Sequence, residues 1–260
     1  MKDLLNLAWP DILGFFLVFV RVGVIFSIVP FFSAEIIPRR IVAIISFMLS
    51  LILLPVVPMA HVNSDNIGVF YILMLLFHEF LVGLCLGLAI DIIFAGIQMA
   101  GQLAGFQMGF AIVNVIDPMT GVNAPVTSNF LYIVSFLVFL VLDGHYLLIK
   151  GMVESFRLIP IDIALPTQGF LFAPVAYGAK MFIIALKVSA PVIGVLLLVN
   201  VAFALVARAV PQMNVFLMSF PIVIIAGLIS LIVVLKLLAP VLSISIGHAW
   251  RFMVFSMSNF

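Results

Sequence analysis

The run VAYGAKMFIIALKVSAPVIGVLLLVNVAFALVA, residues 175–207, is almost wholly apolar and contains only two charged side chains, Lys180 and Lys187. A helix needs about 20 apolar residues to cross the hydrocarbon of a bilayer, and this run exceeds that length. The rest of the chain has the same character, because 66% of its 260 residues are hydrophobic and only 8% are charged. A soluble domain is about half apolar and about a quarter charged. The composition therefore predicts a chain that lies in a bilayer or inside a large apolar assembly.

Long apolar runs recur along the chain, at 11–30, 41–59, 67–97, 130–149, 175–207 and 215–239. Their apolar residues are consecutive, whereas the strands of a membrane β-barrel alternate apolar and polar residues. A helix satisfies its own backbone hydrogen bonds inside lipid. We therefore predict an all-α membrane protein with about six long apolar helical segments, some of them broken or hairpin-like.

The organisation between the runs is simple, and we expect a single domain over 1–260. The first run follows Met1 without a small-residue cleavage site, so it is expected to be a membrane segment and not a signal peptide. A long connection is expected at 98–129 and a polar loop at 150–172. Pro191 and Pro221 are expected to break the last two runs.

Charged residues interrupt several of these runs, and a charge at the bilayer centre costs about 2.5–3.5 kcal/mol. Arg21 lies in the first run, Glu79 and Asp91 in the third, and Lys180 and Lys187 in the fifth. The two lysines are seven residues apart and so share one helical face. Lys180 has an alternative, because a lysine near the end of a span can extend to the membrane surface. We expect Arg21, Glu79, Asp91 and Lys187 to be buried against protein or a wet cavity, or to contact partner subunits.

Glycines recur at intervals of four in two places, and on a helix such glycines let a neighbouring backbone approach closely. We therefore expect tight helix packing at these five positions: Gly83, Gly87, Gly101, Gly105 and Gly109.

The central segment, residues 101–129, begins GQLAGFQMGFAIVNVIDPMTG and combines glycines and amides with a turn at Pro118. Such a stretch is tolerated at membrane depth only where protein buries it or where it lines an aqueous path. Bulky apolar side chains in a passage can close it by excluding water. The residues expected to form this gate are Phe106, Gln107, Met108, Phe110, Val113, Ile116, Asp117 and Pro118. A connector buried for packing alone is the alternative.

No motif for catalysis or cofactor binding is complete. His78 and Glu79 begin the zinc motif HExxH, but Val82 stands where the second histidine is required. Cys85 is the only cysteine and lies in an apolar run, which favours packing over reactivity. The net charge of +1 argues against a nucleic-acid partner. We predict no enzymatic activity, no cofactor and no metal site.

The stretch GFQMGFAIVNVIDPMTG lies at 105–121. It resembles the central signature of the flagellar branch of the FliR/SpaR/YscT family, which comprises type III secretion export-gate subunits. The resemblance extends over nearly the full length of the chain. It includes PFFSAEIIPRR at 30–40, LVGLCLG at 81–87, DGHYLLI at 143–149 and NVAFALVARAVPQMNVFLMSFPI at 200–222.

The resemblance implies a subunit of the flagellar protein export gate in the bacterial inner membrane, at the flagellar basal body. The implied partners are FliP-like and FliQ-like gate subunits, FlhB-like and FlhA-like export proteins, unfolded flagellar substrates in transit, and membrane lipid. Members of the family carry a loop that plugs the pore, and it maps onto about 106–122 here. Much of the chain would then pack against other subunits above the bilayer plane.

Two alternatives remain open on the sequence. An injectisome export-gate subunit would share the same fold. A stand-alone secondary transporter would use the intramembrane charges Glu79, Asp91 and Lys180.

Overall fold

The computed structural model describes residues 2–33, 37–55, 57, 68–110, 126–161, 166–210, 212, 214–258 and 260. In these ranges the chain forms eight helices and no strand, which confirms the predicted all-α class. They are α1 (Lys2–Ile28), α2 (Pro30–Ser33), α3 (Arg39–Leu53), α4 (Val69–Gln107), α5 (Val126–Val141), α6 (Gly144–Leu158), α7 (Gln168–Ala209) and α8 (Val215–Ser258).

Three of these helices are much longer than a bilayer is thick. Helices α4, α7 and α8 contain 39, 42 and 44 residues. At 1.5 Å per residue each is about 60 Å long, about twice the thickness of the hydrocarbon core. These three are long and apolar enough to cross a membrane, and the broken pair α5 and α6 provides a fourth candidate span. Helices of this kind are typical of a multi-pass membrane protein.

The structure extends the helices beyond several predicted boundaries. Residues 69–97 lie within one continuous helix, and so does the whole run 175–207. The predicted connection at 98–129 is too long, because α4 continues to Gln107 and α5 begins at Val126. The predicted loop at 150–172 is also wrong over most of its length, since α6 includes residues 150–158 and α7 begins at Gln168.

One proline lies just after the end of a helix, whereas two others do not interrupt the helices that contain them. Helix α6 ends at Leu158, two residues before Pro160, in keeping with the steric restriction that proline imposes on the residue before it. Pro191 and Pro221 were expected to break helices, yet both lie inside continuous helices. Apolar helices tolerate proline where neighbouring groups satisfy the freed carbonyl.

The chain packs as two compact units. Unit 1 comprises Met1–Ile92, Asp143–Gly178 and Ile246–Phe260, and unit 2 comprises Ile93–Leu142 and Ala179–Ser245. Helices α4, α7 and α8 each contribute residues to both units. The single domain over 1–260 remains a prediction.

In unit 1, α1 lies against the glycine face of α4. A Cβ atom added to Gly83 would lie 2.9 Å from the carbonyl oxygen of Arg21, and one added to Gly87 would lie 2.8 Å from Cβ of Ile28. No side chain fits at either position without displacing α1. The two glycines therefore allow α1 to approach α4 closely. This approach places Arg21 of α1 beside α4.

Candidate functional site

The end of α4, inside the central segment, is closed by a glycine cap. The amide of Phe110 donates a hydrogen bond to the carbonyl of Gly105 at 3.0 Å, and the amide of Gly109 donates to Phe106 at 3.1 Å. Gly109 has a φ of 84°, in the left-handed region that favours glycine. These bonds form a Schellman motif, a common end to a helix. The predicted helix-packing role of Gly109 is wrong, because this glycine lies after the helix and terminates it.

Met108, the residue before this cap, is buried in unit 2. Its side chain is 0% exposed and packs onto Gly227 of α8. A Cβ atom added to Gly227 would lie 2.6 Å from Cγ of Met108, so the absence of a side chain at Gly227 makes the room that Met108 fills. In this structure Met108 fixes the end of α4 to α8, and its predicted role in filling a passage remains a prediction.

Of the other seven predicted gate residues, the structure describes three. Phe106 is 53% exposed, Gln107 is exposed and Phe110 is half-buried. The remaining four lie outside the described residues: Val113, Ile116, Asp117 and Pro118. The role of this gate set therefore remains a prediction.

The other end of the central segment is fixed to α4 by the start of α5. The hydroxyl of Thr127 donates to the carbonyl of Gly101 at 2.8 Å, and the hydroxyl of Ser128 donates to the carbonyl of Gln98 at 2.9 Å. A Cβ atom added to Gly101 would lie 2.5 Å from Cα of Ser128. The backbones of α4 and α5 are thus in direct contact at Gly101. Neither hydroxyl was predicted as a site residue, although small residues opposite Ser or Thr are a usual signal of close helix crossing.

We call these fixed ends the loop root: Gln98, Gly101, Gly105, Met108, Gly109, Thr127, Ser128 and Gly227. All eight belong to unit 2. Residues 111–125 run between its two ends.

A second cluster lies in unit 1, around Arg21. Nε of Arg21 lies 2.5 Å from Oε2 of Glu79 and Nη2 lies 2.9 Å from Oε1, and both side chains are 0% exposed. Nη1 donates to the hydroxyl of Ser155 at 3.2 Å and to the carbonyl of Ile159 at 3.1 Å. The guanidinium carbon also lies 4.1 Å from the ring centre of Phe156. One guanidinium therefore joins α1, α4 and the end of α6.

His78 completes this cluster. Its Nδ1 lies 3.3 Å from Oε1 of Glu79, and its ring meets the edge of Phe260 at 4.8 Å between centroids. Phe260 in turn packs against Phe170 at 4.7 Å. Among the described residues, no group of three His, Cys, Asp or Glu side chains is placed to hold a metal ion. The cluster is buried and has the contacts of a structural ion pair.

Two further charged residues that were predicted to be buried are more exposed than Arg21 and Glu79. Asp91 is half-buried, and Lys187 is exposed on α7. The prediction that Lys187 is buried within this chain is therefore wrong. Its side chain is exposed on the described structure. Its contact with a partner subunit remains a prediction.

The long apolar helices place this chain among the all-α, multi-pass membrane proteins. The family model for bacterial export proteins, family 1, matches residues 12–249. The chain therefore belongs to that family.

Three similar proteins from different bacteria share the same name. The flagellar biosynthetic protein FliR of Bacillus subtilis (strain 168) is 39% identical over 228 residues, which cover 86% of this chain and 87% of the relative. The protein of that name from Pectobacterium carotovorum subsp. carotovorum is 34% identical over 227 residues, 87% of this chain and 85% of the relative. That of Escherichia coli (strain K12) is 28% identical over 234 residues, 90% and 88% of the two chains. The similarity thus extends over most of each chain.

Proposed function

We propose that this chain is a subunit of the flagellar type III protein export gate in the bacterial inner membrane, at the flagellar basal body. It helps to form and to plug the channel through which flagellar proteins are secreted. Membership in an export family supports this function, as do relatives named for flagellar biosynthesis. The same names favour the flagellar apparatus over an injectisome.

The loop root is the observation that supports the proposed plug. A plug must keep its position while the residues between its ends block a passage. Here the Gly109 cap and the packing of Met108 fix one end, and the hydroxyls of Thr127 and Ser128 fix the other. Between these ends the sequence AIVNVID supplies bulky apolar side chains of the kind that exclude water from a constriction.

The exposed surface of the long helices supports assembly with other gate subunits. Helices α7 and α8 expose large apolar side chains over most of their length, including Phe182, Leu198 and Ile232. A helix of about 60 Å passes through about 30 Å of hydrocarbon, so lipid tails cover about half of it. FliP-like and FliQ-like subunits would cover the rest. FlhB-like and FlhA-like export proteins are expected to contact the finished assembly, and unfolded flagellar substrates to pass through it.

The proposed mechanism is passive. We assign no enzymatic step to this chain and no cofactor. Its residues shape the conduit, and the segment at about 106–122 obstructs that conduit until secretion begins.

The test is the conductance of the assembled gate. The chain is co-expressed with the other gate subunits, and the purified assembly is placed in a planar bilayer. Deletion of residues 112–115 is expected to raise the ion current several-fold, because it removes apolar bulk from the constriction. A matched control replaces the same four residues with Gly-Ser-Gly-Ser, which retains the length and removes the bulk, and it should leak as well.

Two results would contradict parts of the proposal. An assembled deletion variant with wild-type current would remove the plug and leave membership in the gate intact. Failure of the wild-type chain to co-purify with any gate subunit would remove the export-gate function itself.

A further inference from the structure

A groove of about 690 Å³ lies in unit 1, between the end of α1 and the start of α3. We call it the α1–α3 groove. Helix α1 contributes Phe19, Gly23 and Ser27, which are spaced four residues apart and so lie on one face of the helix. Helix α3 contributes lining residues from Arg39 to Ser46. The groove therefore follows α1 for about 12 Å, the rise of the eight residues from Phe19 to Ser27.

The two ends of this groove differ in chemistry. Consecutive helices joined by a short connection run antiparallel. At one end, the ring of Phe19 on α1 lies 6.1 Å from the ring of Phe47 on α3, measured between centroids. At the other end, Ser27 near the end of α1 lines the groove with Arg39 at the start of α3. The groove thus runs from a charged end to an aromatic end.

Gly23 keeps the middle of the groove open. Nothing lies within 4 Å of a Cβ atom added to Gly23, so no close helix contact requires this glycine. The hydroxyl of Ser27 donates to the carbonyl of Gly23 at 2.7 Å, and that of Ser46 donates to the carbonyl of Val42 at 2.8 Å. Both hydroxyls are therefore satisfied within their own helices. The middle of the groove offers apolar space and no free hydroxyl.

The charged end of the groove is positive. Arg39 and Arg40 are exposed, and in the described ranges neither forms an ion pair. Residues 22–64 contain these two arginines and one acidic residue, Glu35, which lies outside the described residues, so their formal net charge is +1. No side chain caps the start of α3, and the positive end of a helix dipole favours an anion. This end of the groove therefore suits an anionic group.

The two arginines also place this end at a membrane surface. The rest of α3, residues 41–53, is uncharged and exposes Ile44, Met48 and Ile52 at 59%, 60% and 66%. Arginine side chains at the end of an apolar helix extend to the level of the lipid headgroups. The aromatic end of the groove then lies about 12 Å deeper, within the roughly 15 Å of hydrocarbon in one leaflet.

We propose that the α1–α3 groove binds one anionic phospholipid. The phosphate of the lipid pairs with Arg39 and Arg40, and an acyl chain lies over Gly23 and extends toward Phe19. Basic pockets between membrane helices bind anionic headgroups in this way. The inference goes beyond the proposed function, because the groove and its charges belong to this chain alone.

The dimensions of the groove favour a lipid over a protein helix. A volume of about 690 Å³ over a length of about 12 Å gives a mean cross-section of about 60 Å². An α-helix with its side chains is about 10–12 Å in diameter, a cross-section of about 80–110 Å². A helix is therefore too wide to enter the groove, whereas an acyl chain is narrow and bends to fit. Free phosphate would leave the apolar lining uncovered.

The first experiment labels the bound lipid in the assembly. The chain is co-expressed with the other gate subunits, and the assembly is reconstituted in phosphatidylcholine vesicles with a minor fraction of phosphatidylglycerol that carries a photo-reactive acyl chain. After illumination, the labelled peptides are mapped by mass spectrometry. We expect severalfold more label on the lining of the groove than around Phe182, which is 53% exposed on α7. Photo-reactive phosphatidylcholine at the same fraction should label both places to a similar extent.

The second experiment removes the charge. In R39Q/R40Q, labelling of the groove by phosphatidylglycerol is expected to fall to the level found with phosphatidylcholine, because the phosphate loses both partners. The matched control is R208Q/R251Q, which removes two other exposed arginines. It should be labelled like the wild type.

The third experiment fills the groove. Gly23→Leu is expected to exclude the acyl chain and to reduce the labelling severalfold. It should leave the fold intact, since its Cβ meets no neighbour. Gly194→Leu is the matched control, because Gly194 on α7 has equally open surroundings and does not line the groove. Its labelling should be that of the wild type.

The outcomes separate this inference from the proposed function. Equal labelling of the groove by the two lipids overturns the inference, as does unchanged labelling of R39Q/R40Q. Label that enters the groove of the chain alone but not that of the assembly also overturns it, since a partner subunit then covers the groove. Failure of the wild-type chain to co-purify with gate subunits contradicts the proposed function instead, and the same labelling of the chain alone then tests the lipid site.

Discussion

Arg21 on α1 and Glu79 on α4, 58 residues apart in sequence, form a fully buried ion pair with two hydrogen bonds between guanidinium and carboxylate. The remaining donors of Arg21 reach the hydroxyl of Ser155 and the carbonyl of Ile159. Every group on the guanidinium is thus used. Because the pair is buried, removing one partner leaves an unpaired charge in the interior of unit 1.

The first prediction concerns this pair. Glu79→Leu is expected to destabilise the chain by about 3–5 kcal/mol, because Arg21 keeps its charge and loses its carboxylate. Arg21→Met should cost a similar amount. The double variant should cost much less than the sum of the two, since it leaves no unpaired charge. Thermal unfolding of the purified protein in detergent, followed by circular dichroism, measures all three. Additive costs would show that the pair is not coupled.

The second prediction contrasts two glycines in long helices. Gly101→Ala is expected to destabilise the chain by about 1–3 kcal/mol, because its new Cβ would lie 2.5 Å from Cα of Ser128. Gly247→Ala is the control, since nothing lies within 4 Å of a Cβ there. Alanine favours a helix over glycine by about 0.5–1 kcal/mol, so this control should stabilise the protein slightly. The same unfolding experiment compares the two, and equal shifts would contradict a backbone contact between α4 and α5.

The long helices could be predicted from sequence because hydropathy acts on consecutive residues. The run 175–207 specifies α7 by itself, since a helix surrounded by apolar groups needs no periodic pattern. The helix ends were harder to predict. Gln98, Gln102 and Gln107 suggested a loop, yet an amide side chain does not break a helix, and α4 continues through all three.

The contacts of the loop root were beyond sequence reasoning because they join distant residues. The spacing of Gly101, Gly105 and Gly109 is uniform, but Gly101 meets Ser128 whereas Gly109 caps the helix. Only the position of the helix end separates these two roles. Likewise, Arg21 and Glu79 could each be expected in the interior, but nothing in the sequence paired them.

The third prediction concerns the helix cap. Gly109→Ala is expected to destabilise the chain by about 1–2 kcal/mol, because a φ of 84° is unfavourable for residues with a Cβ atom. Gly109→Asn should cost less, since asparagine tolerates this conformation better. The two variants are compared by thermal unfolding and by the conductance of the assembled gate. If alanine and asparagine were equivalent, the conformation of Gly109 would not explain its presence.

The last prediction concerns the packing of Met108 onto Gly227. Gly227→Val is expected to destabilise unit 2 by about 1–3 kcal/mol, because the valine would occupy the space of the Met108 side chain. Met108→Ala should cost about 2–5 kcal/mol through the cavity it leaves.

Combined, the two substitutions move three side-chain heavy atoms from one position to the other, so the total volume is conserved. The double variant should therefore be more stable than additivity predicts, as measured by the same unfolding experiment. It also tests the loop root without changing residues 111–125. If Met108 fixes the end of α4 to α8, each single variant should raise the current through the assembled gate, and the double variant should lower it again. Wild-type current in all three, with the expected stability changes, would show that this contact stabilises the fold without holding the central segment in place.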